Sequence, residues 1–162
     1  MANVEFTDNS IKVKEAMTAA ALKWLEESAI VIHGEVVRTS KTGKVNGGNT
    51  RQKWKVVVDE KKMESTVGNT EENALWEEFG TGEYAREGKG RKGGWYIPIG
   101  EGEGQIPQAV VDAYGFKVVH GKDGVDFAFT KGKKAKRTLH NAYTKKKAGI
   151  TRRAKEIFGG MK

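Results

Sequence analysis

The sequence predicts an α+β fold, in which an antiparallel sheet of two hairpins is packed by a long N-terminal helix and a C-terminal helix, with a long glycine-rich loop between them. Three observations carry this expectation. Apolar residues recur every three or four positions near both ends of the chain. Two pairs of β-rich runs flank short polar turns. The resulting order of helix, hairpin, short helix, hairpin, helix is that of an α+β domain rather than of alternating βα units. A length of 162 residues makes one domain, 1–162, the expectation.

Each element has a local reason. Asp8 or Asn9 can cap a first helix by accepting a hydrogen bond from its first turn. Val13, Met17, Ala20, Trp24, Ser28 and Val31 then follow helical spacing, and Gly34 is the expected stop. Ala19 to Ala21 leave room for the close approach of another backbone. The polar stretch from Arg38 to Thr50 reads as a mobile loop, about 38–50. Trp54, Val56 and Val58 alternate with Lys55 and Val57, the period of a half-buried strand. Asp59 to Lys62 turns the chain, and Met63, Ser65 and Val67 return it. Thr70 is the expected cap of a short helix that opens with Glu71 and Glu72. Leu75 and Phe79 stand one turn apart on that helix, with Phe79 expected in the core and Gly80 at the helix end.

A second glycine-rich loop, about 82–104, is also expected to be mobile. "WYIPI" (Trp95 to Ile99) within it reads as a short edge strand, where a proline is tolerated. Pro107 suits the first turn of a short helix through Tyr114, with Gly115 beyond it. "FKVVHGKDGVDFAF" reads as the second hairpin. Leu139, Tyr143, Ile150, Ala154 and Ile157 mark the apolar face of a final helix in a basic arm, 131–162.

Composition narrows the function. Apolar residues make up 37% of the chain and charged ones 31%, so the core must be modest. There is no cysteine, which removes disulfides, thiolate metal sites and cysteine nucleophiles together. His33, His120 and His140 show no metal-ligand spacing. No secretory leader and no apolar run of membrane-spanning length is visible, so a soluble protein made in the cytosol is expected. The net charge of +8 is unevenly placed: Lys131 to Lys155 contains eleven Lys or Arg and no acid, while the rest of the chain has 18 basic and 21 acidic residues. Such an arm is a solvated helix face, a DNA-facing surface, or a patch that meets acid on another subunit.

Gly80-x-Gly82-x-x-Ala85 has the spacing of a dinucleotide-binding turn, but its context is reversed. A true fingerprint follows a buried strand and leads into a helix N-terminus. Here "EENALWEEF" precedes it, a helix with four glutamates whose negative end would repel phosphate. Each residue has an architectural use instead. Gly80 ends the helix, Thr81 bonds a freed backbone group, Gly82 permits a tight turn, and Glu77 and Glu78 are surface acids. The other glycine runs lack the Lys-Ser or Lys-Thr ending of a phosphate loop, and no serine lies in a nucleophile elbow. No enzyme activity and no cofactor or metal is expected.

"VGNTEENALWEEFGTGEYA" resembles the hallmark of a phage neck and tail-component family (HK-ninety-seven gene-product-ten-like) of long-tailed phages. The matching positions are Val67, Gly68 and Asn69, then Glu78, Phe79, Gly80, Thr81 and Gly82. "GGWYIP" (Gly93 to Pro98) and "TKGKKAKRTLHNAY" (Thr130 to Tyr143) are similar to the end of that family's variable loop and the entry to its last helix. Members usually enter the last helix through prolines and a phenylalanine; Ala135, Arg137 and Thr138 stand here instead, and Gly104 to Gly124 looks like an insertion. The resemblance implies a virion structural protein at the head–tail joint or tail-completion site, acting as a homo-oligomeric ring around the DNA channel in the assembled particle, whether a ring or a monomer when isolated, with neck and tail-tube proteins as neighbours and no membrane.

Two uses of the charged residues follow. In a ring, Glu77 and Glu78 would meet Lys133, Lys134 and Arg137 of the next subunit. The alternative is a small basic nucleic-acid-binding module, with Lys145, Lys146, Lys147, Arg152 and Arg153 as phosphate contacts and Trp95 and Tyr96 for stacking.

Overall fold

The computed structural model describes residues 8–40 and 48–160. Among these the architecture is α+β, with five helices and two antiparallel sheets. Helix α1 spans Ser10–Thr39. Its first turn is tied by Asp8, whose Oδ1 accepts from the Ser10 N–H at 2.9 Å. The helix runs straight through the expected stop at Gly34, because Glu35 and Val36 beyond it are buried and engaged. Helix geometry makes its 30 residues about 45 Å long. Part of the segment expected as a loop is therefore helical, as is the short turn α2 (Asn49–Gln52); 41–47 lie outside the described residues.

Strands β1 (Trp54–Asp59) and β2 (Glu64–Asn69) form the first hairpin, with Trp54 opposite Asn69 and Val56 opposite Val67. A core forms where it meets α1: Val36 and Trp54 are buried, with Ile32, Val37 and Val67 packed around them. Trp54 satisfies its indole N–H on the Ser40 hydroxyl at 3.0 Å, and its carbonyl lies 3.1 Å from His33 Nε2. These polar partners let a large aromatic enter the core without an unpaired donor.

Helix α3 (Glu72–Phe79) follows at once. Its first turn is tied by Asn69 rather than by Thr70: Asn69 Oδ1 accepts from the Glu71 N–H at 2.9 Å while its amide donates to the Thr50 carbonyl. The buried face of α3 is Ala74 and Glu77, not Leu75 and Phe79, which are half exposed or more. A single small apolar residue flanked by acids thus faces the protein, and the large apolar ones face out.

The second sheet has the order β3-β5-β4, from β3 (Trp95–Pro98), β4 (Lys117–His120) and β5 (Asp126–Thr130). The two hairpins therefore lie in separate sheets, and the second gains β3 at one edge. Pro98 sits on that edge strand, where its missing N–H costs no ladder bond. Helix α4 (Gln108–Tyr114) begins after Pro107 and ends at Gly115 in the left-handed region, φ 66°.

Helix α5 (Thr138–Gly159) lies antiparallel against α1. The Trp24 indole N–H donates to the Ile150 carbonyl at 3.1 Å, and Trp24 meets the Phe158 ring edge-on. Ala142 rather than Tyr143 reaches the core, with Leu139 beside it. At 22 residues, α5 is about 33 Å long and shorter than α1. Among the described residues the first turns of α1 consequently have no helix beside them, and every residue from Asp8 to Ala19 is exposed.

Between β5 and α5 the chain has no regular structure and threads past the end of α3. Gly80 (φ 72°, ψ 174°) and Gly82 (φ 59°) make room for it. A Cβ on Gly80 would stand 2.8 Å from the Lys133 carbonyl, and one on Gly82 would overlap the Lys131 carbonyl and the Trp95 ring. Gly88 has a similar φ of 68° but open space around it. Gly82→Ala is therefore expected to cost roughly 2–4 kcal/mol, from positive-φ strain plus overlap. Gly88→Ala should cost only about 1–2 kcal/mol, from strain alone. Urea unfolding of the two variants measures the difference, and equal losses would show that the approach of the two segments is not tight.

Candidate functional site

The glycine corner singled out in the sequence is a clasp on residues 131–140. Thr81 N–H donates to the Lys133 carbonyl and Glu83 N–H to the Lys131 carbonyl, both at 2.9 Å. Lys133 N–H returns a bond to Thr81 Oγ1 at 2.9 Å, and Lys136 N–H donates to the Glu77 carbonyl at 2.6 Å. Two amides on which a phosphate would depend, those of Thr81 and Glu83, are already engaged by the chain's own carbonyls. The corner binds its own backbone.

Two glutamates of α3 complete the clasp. Glu77, 9% exposed, accepts from Lys133 Nζ at 2.9 Å and Lys136 Nζ at 2.8 Å. Burial pushes its carboxyl upward, but the two ammonium hydrogen bonds outweigh that and leave it below the usual carboxylate value. Glu78 does something local sequence cannot do for α5. The N-cap of α5 is Arg137, held at φ 54°, whose side chain has no acceptor to offer the first turn. Glu78 supplies the acceptor from about sixty residues away: Oε2 takes the Leu139 N–H at 2.9 Å and Oε1 the His140 N–H at 3.0 Å. A carboxylate here also faces the positive end of the α5 dipole.

A second set of charges lines the α1–α5 seam. Glu35, 5% exposed, receives Arg38, Lys145 (3.0 Å) and Lys146 (3.3 Å). The hydrogen bonds from Arg38 and Lys145 hold its carboxyl well down, to about 2, against the opposing effect of burial. Further along the seam, Arg153 grips Glu27 with Nε at 2.6 Å and Nη2 at 3.1 Å, a two-pronged pair. That pairing lowers the Glu27 carboxyl and raises the Arg153 guanidinium. The seam opens beside Glu35 into a cleft of about 490 Å³ lined by Arg38, Lys136, Thr138, Asn141 and Lys145.

The structure thus redistributes the residues expected to act outward. Glu77 and Glu78 are not surface acids, and they meet the basic arm of their own chain rather than depending on a neighbour's. Lys133 is drawn into that pair. Lys134 lies 5.6 Å from the Tyr84 ring centroid, while Arg137 has its Nε enclosed without a hydrogen-bond partner. Of the five cations expected to face DNA, Lys145, Lys146 and Arg153 are drawn to α1 acids. Arg152 has a loose 3.9 Å contact with Glu156, and Lys147 makes no ion pair among the described residues. The stacking candidates separate too: Trp95 lies beneath Arg91, and Tyr96 is exposed beside Phe129.

Sequence reasoning missed Glu27, Glu35, Glu83 and Lys136. A signal for two of them existed. Glu27 and Glu35 are eight residues apart, as are Lys145 and Arg153, which matches two antiparallel helices in register.

Val67, Gly68 and Asn69 are also placed. Val67 packs on the core and Asn69 ties β2 to α2 and α3, whereas a side chain at Gly68 would meet open space. Large apolar side chains are exposed on several elements, among them Ile11, Val13 and Met17 on α1 and Leu75, Trp76 and Phe79 on α3. Among the described residues, no helix is long and apolar enough to cross a membrane. No family model, curated protein or solved structure matches the chain.

The cap and the buried carboxylate can each be tested by substitution. Glu78→Ala should lower stability by about 1–2 kcal/mol, the loss of a helix N-cap, with faster amide exchange in the first turn of α5. Glu78→Gln keeps an acceptor and should lose about half as much. For Glu35 the variable is acid. Its carboxyl ordinarily titrates near 4.5 and here is held at about 2, so the unfolded chain binds its proton first. Its stabilising contribution is present above about 4.5 and is lost as pH falls toward about 2. Urea midpoints across that window should fall less steeply in Glu35→Gln than in the unsubstituted protein.

Proposed function

We propose that the chain is a structural component of a tailed phage or prophage, a ring-forming head–tail connector or tail-completion protein of the virion neck, made in the host cytoplasm. It acts by assembling with copies of itself and with neck and tail-tube neighbours, not by catalysis, and takes no cofactor. The observation that carries this reading is the large apolar surface left open on a lone chain. Soluble monomers rarely leave large contiguous apolar patches uncovered, and such patches mark sites of association. Here large apolar side chains are exposed on unlike elements, Ile11, Val13 and Met17 on α1 and Leu75, Trp76 and Phe79 on α3 among them. Unlike faces make heterologous contacts, and a rotation that closes turns such contacts into a ring.

The resemblance in the Glu78 to Gly82 motif supports the same reading in a second way. Its residues are used in architecture, holding the arm and capping α5, as a structural protein requires. Sedimentation velocity and electron microscopy, with the protein alone and mixed with neck and tail-tube proteins, should show closed annular assemblies that grow with concentration. A protein that stays monomeric in both settings would overturn the reading.

One observation favours nucleic-acid contact as a second reading. Lys147, Arg152 and Lys155 share an exposed face of α5 with Thr144, Ala148 and Thr151, on the side away from α1. Three phosphate contacts give a salt slope of roughly −3 in log affinity against log salt on duplex DNA. The triple variant Lys147→Glu, Arg152→Glu, Lys155→Glu should abolish that slope. A slope that survives the triple change would place any DNA contact elsewhere.

A further inference from the structure

We infer that the cleft between the end of α1 and the start of α5 is a binding site for a phosphomonoester, a dianionic phosphoryl group carried by a small ligand or by the end of a nucleic-acid strand. The inference goes beyond the ring reading and does not depend on it.

The cleft measures about 490 Å³, and its walls come from three parts of the chain: Glu35 and Arg38 of α1, Lys136 of the irregular segment before α5, and Thr138 and Lys145 of α5. That volume is within the usual range for small-ligand sites, roughly 300–1,000 Å³. Glu35 is the one acid on its walls, and its acceptor capacity is filled. Oε1 takes Arg38 Nη2 and Lys145 Nζ, while Oε2 faces Arg38 Nε and Lys146 Nζ.

The donors are in surplus. An ammonium has three N–H groups and a guanidinium five. Among the described residues Lys145 spends one on Glu35, Lys136 one on Glu77, and Arg38 two on Glu35. The side chains of Arg38, Lys136 and Lys145 are 62%, 36% and 59% exposed, so the remaining donors are within reach of a ligand. The Thr138 hydroxyl, on the same wall, makes no hydrogen bond among the described residues.

Charge points the same way when every packed element is counted. Three acids, Glu35, Glu77 and Glu78, face six cations: Arg38 of α1, Lys133, Lys136 and Arg137 before α5, and Lys145 and Lys146 on it. Glu83 and Glu27 are committed to Lys131 and Arg153, and Glu71 and Glu72 stand at the other end of α3. A surplus of three positive charges remains. A planar carboxylate has two oxygens and is filled by one guanidinium fork. A phosphomonoester brings three oxygens and a charge of about −1.5 to −2, which suits donors arriving from three segments. An internal strand phosphate carries a single charge.

The test titrates the full chain with inorganic phosphate, glycerol phosphate and a 5′-phosphorylated tetranucleotide at fixed ionic strength. Acetate and the dephosphorylated tetranucleotide serve as controls. Amide chemical shifts should move saturably around Arg38, Thr138 and Lys145, and the melting temperature should rise, because a ligand that binds the folded state stabilises it. Arg38→Gln and Lys145→Gln should each weaken phosphate binding at least about tenfold, the loss of a charge-assisted hydrogen bond. Lys117→Gln, which removes a charge from β4, should leave it unchanged. Thr138→Val keeps every charge and should still weaken binding severalfold, which a diffuse positive surface would not show. Tighter binding of the phosphorylated tetranucleotide than of glycerol phosphate assigns the group to a strand end, and equal binding assigns it to a small ester. An equal response to acetate, equal binding of the dephosphorylated strand, or indifference to the Arg38, Lys145 and Thr138 changes overturns the site.

Discussion

The hold of the α3 end on residues 131–140 is the constraint from which the rest of the structure follows. Residues 131–137 form no helix or strand, yet they lie partly covered against the end of α3, where their backbone groups need partners. Thr81, Glu83 and the Glu77 carbonyl provide them, and glycine at 80 and 82 lets the two backbones approach closely enough. The same stretch of α3 then finishes the start of α5. Remove that hold and α5 begins with an arginine in the left-handed region and no acceptor for its first amides. The position of α5 on α1, and with it the buried Ala142, depends on where this entry is fixed.

Charge follows from the same placement. The arm that reads as an uninterrupted basic run in sequence is folded onto acids from three other parts of the chain. Glu83 and Glu77 take Lys131, Lys133 and Lys136, while Glu35 and Glu27 take Lys145, Lys146 and Arg153. The pairs of Glu83 and Glu27 are partly exposed and add little stability, typically about 0–1 kcal/mol each, whereas the buried Glu35 and Glu77 need their cations because an unpaired buried carboxylate is costly. Their larger effect here is on register. Glu27 and Glu35 present two fixed points along α1, and α5 can satisfy both only in one longitudinal setting. Lys147 and Lys155, facing away, make no ion pair among the described residues.

Most of the elements were legible from residue periodicity: the first helix, the two hairpins, the proline-bearing edge strand, the short helix after Pro107 and the final helix all lie where their patterns place them. What periodicity could not supply was the side each helix turns inward. Leu75 and Phe79 look like the core face of α3, but the strap passes on the other side, so Ala74 and Glu77 are buried instead. Gly34 looks like a stop, yet helix capping is a local preference and packing of Val36 overrides it. The Glu78 cap was illegible for a deeper reason: donor and acceptor are separated by about sixty residues, and no local window contains both. The association of each hairpin with its own sheet is likewise a long-range fact, decided by β3 pairing with β5.

The strap and the glycine turn have a topological corollary. At Gly82 the chain departs, builds β3, α4, β4 and β5, and returns at Lys131 and Gly132 to touch the point it left. Entry and exit are thus stapled together, so the intervening stretch is a detachable cassette on a frame made of α1, the first hairpin, α3 and α5. A loop lengthened or trimmed inside that stretch leaves the clasp at its two ends in place.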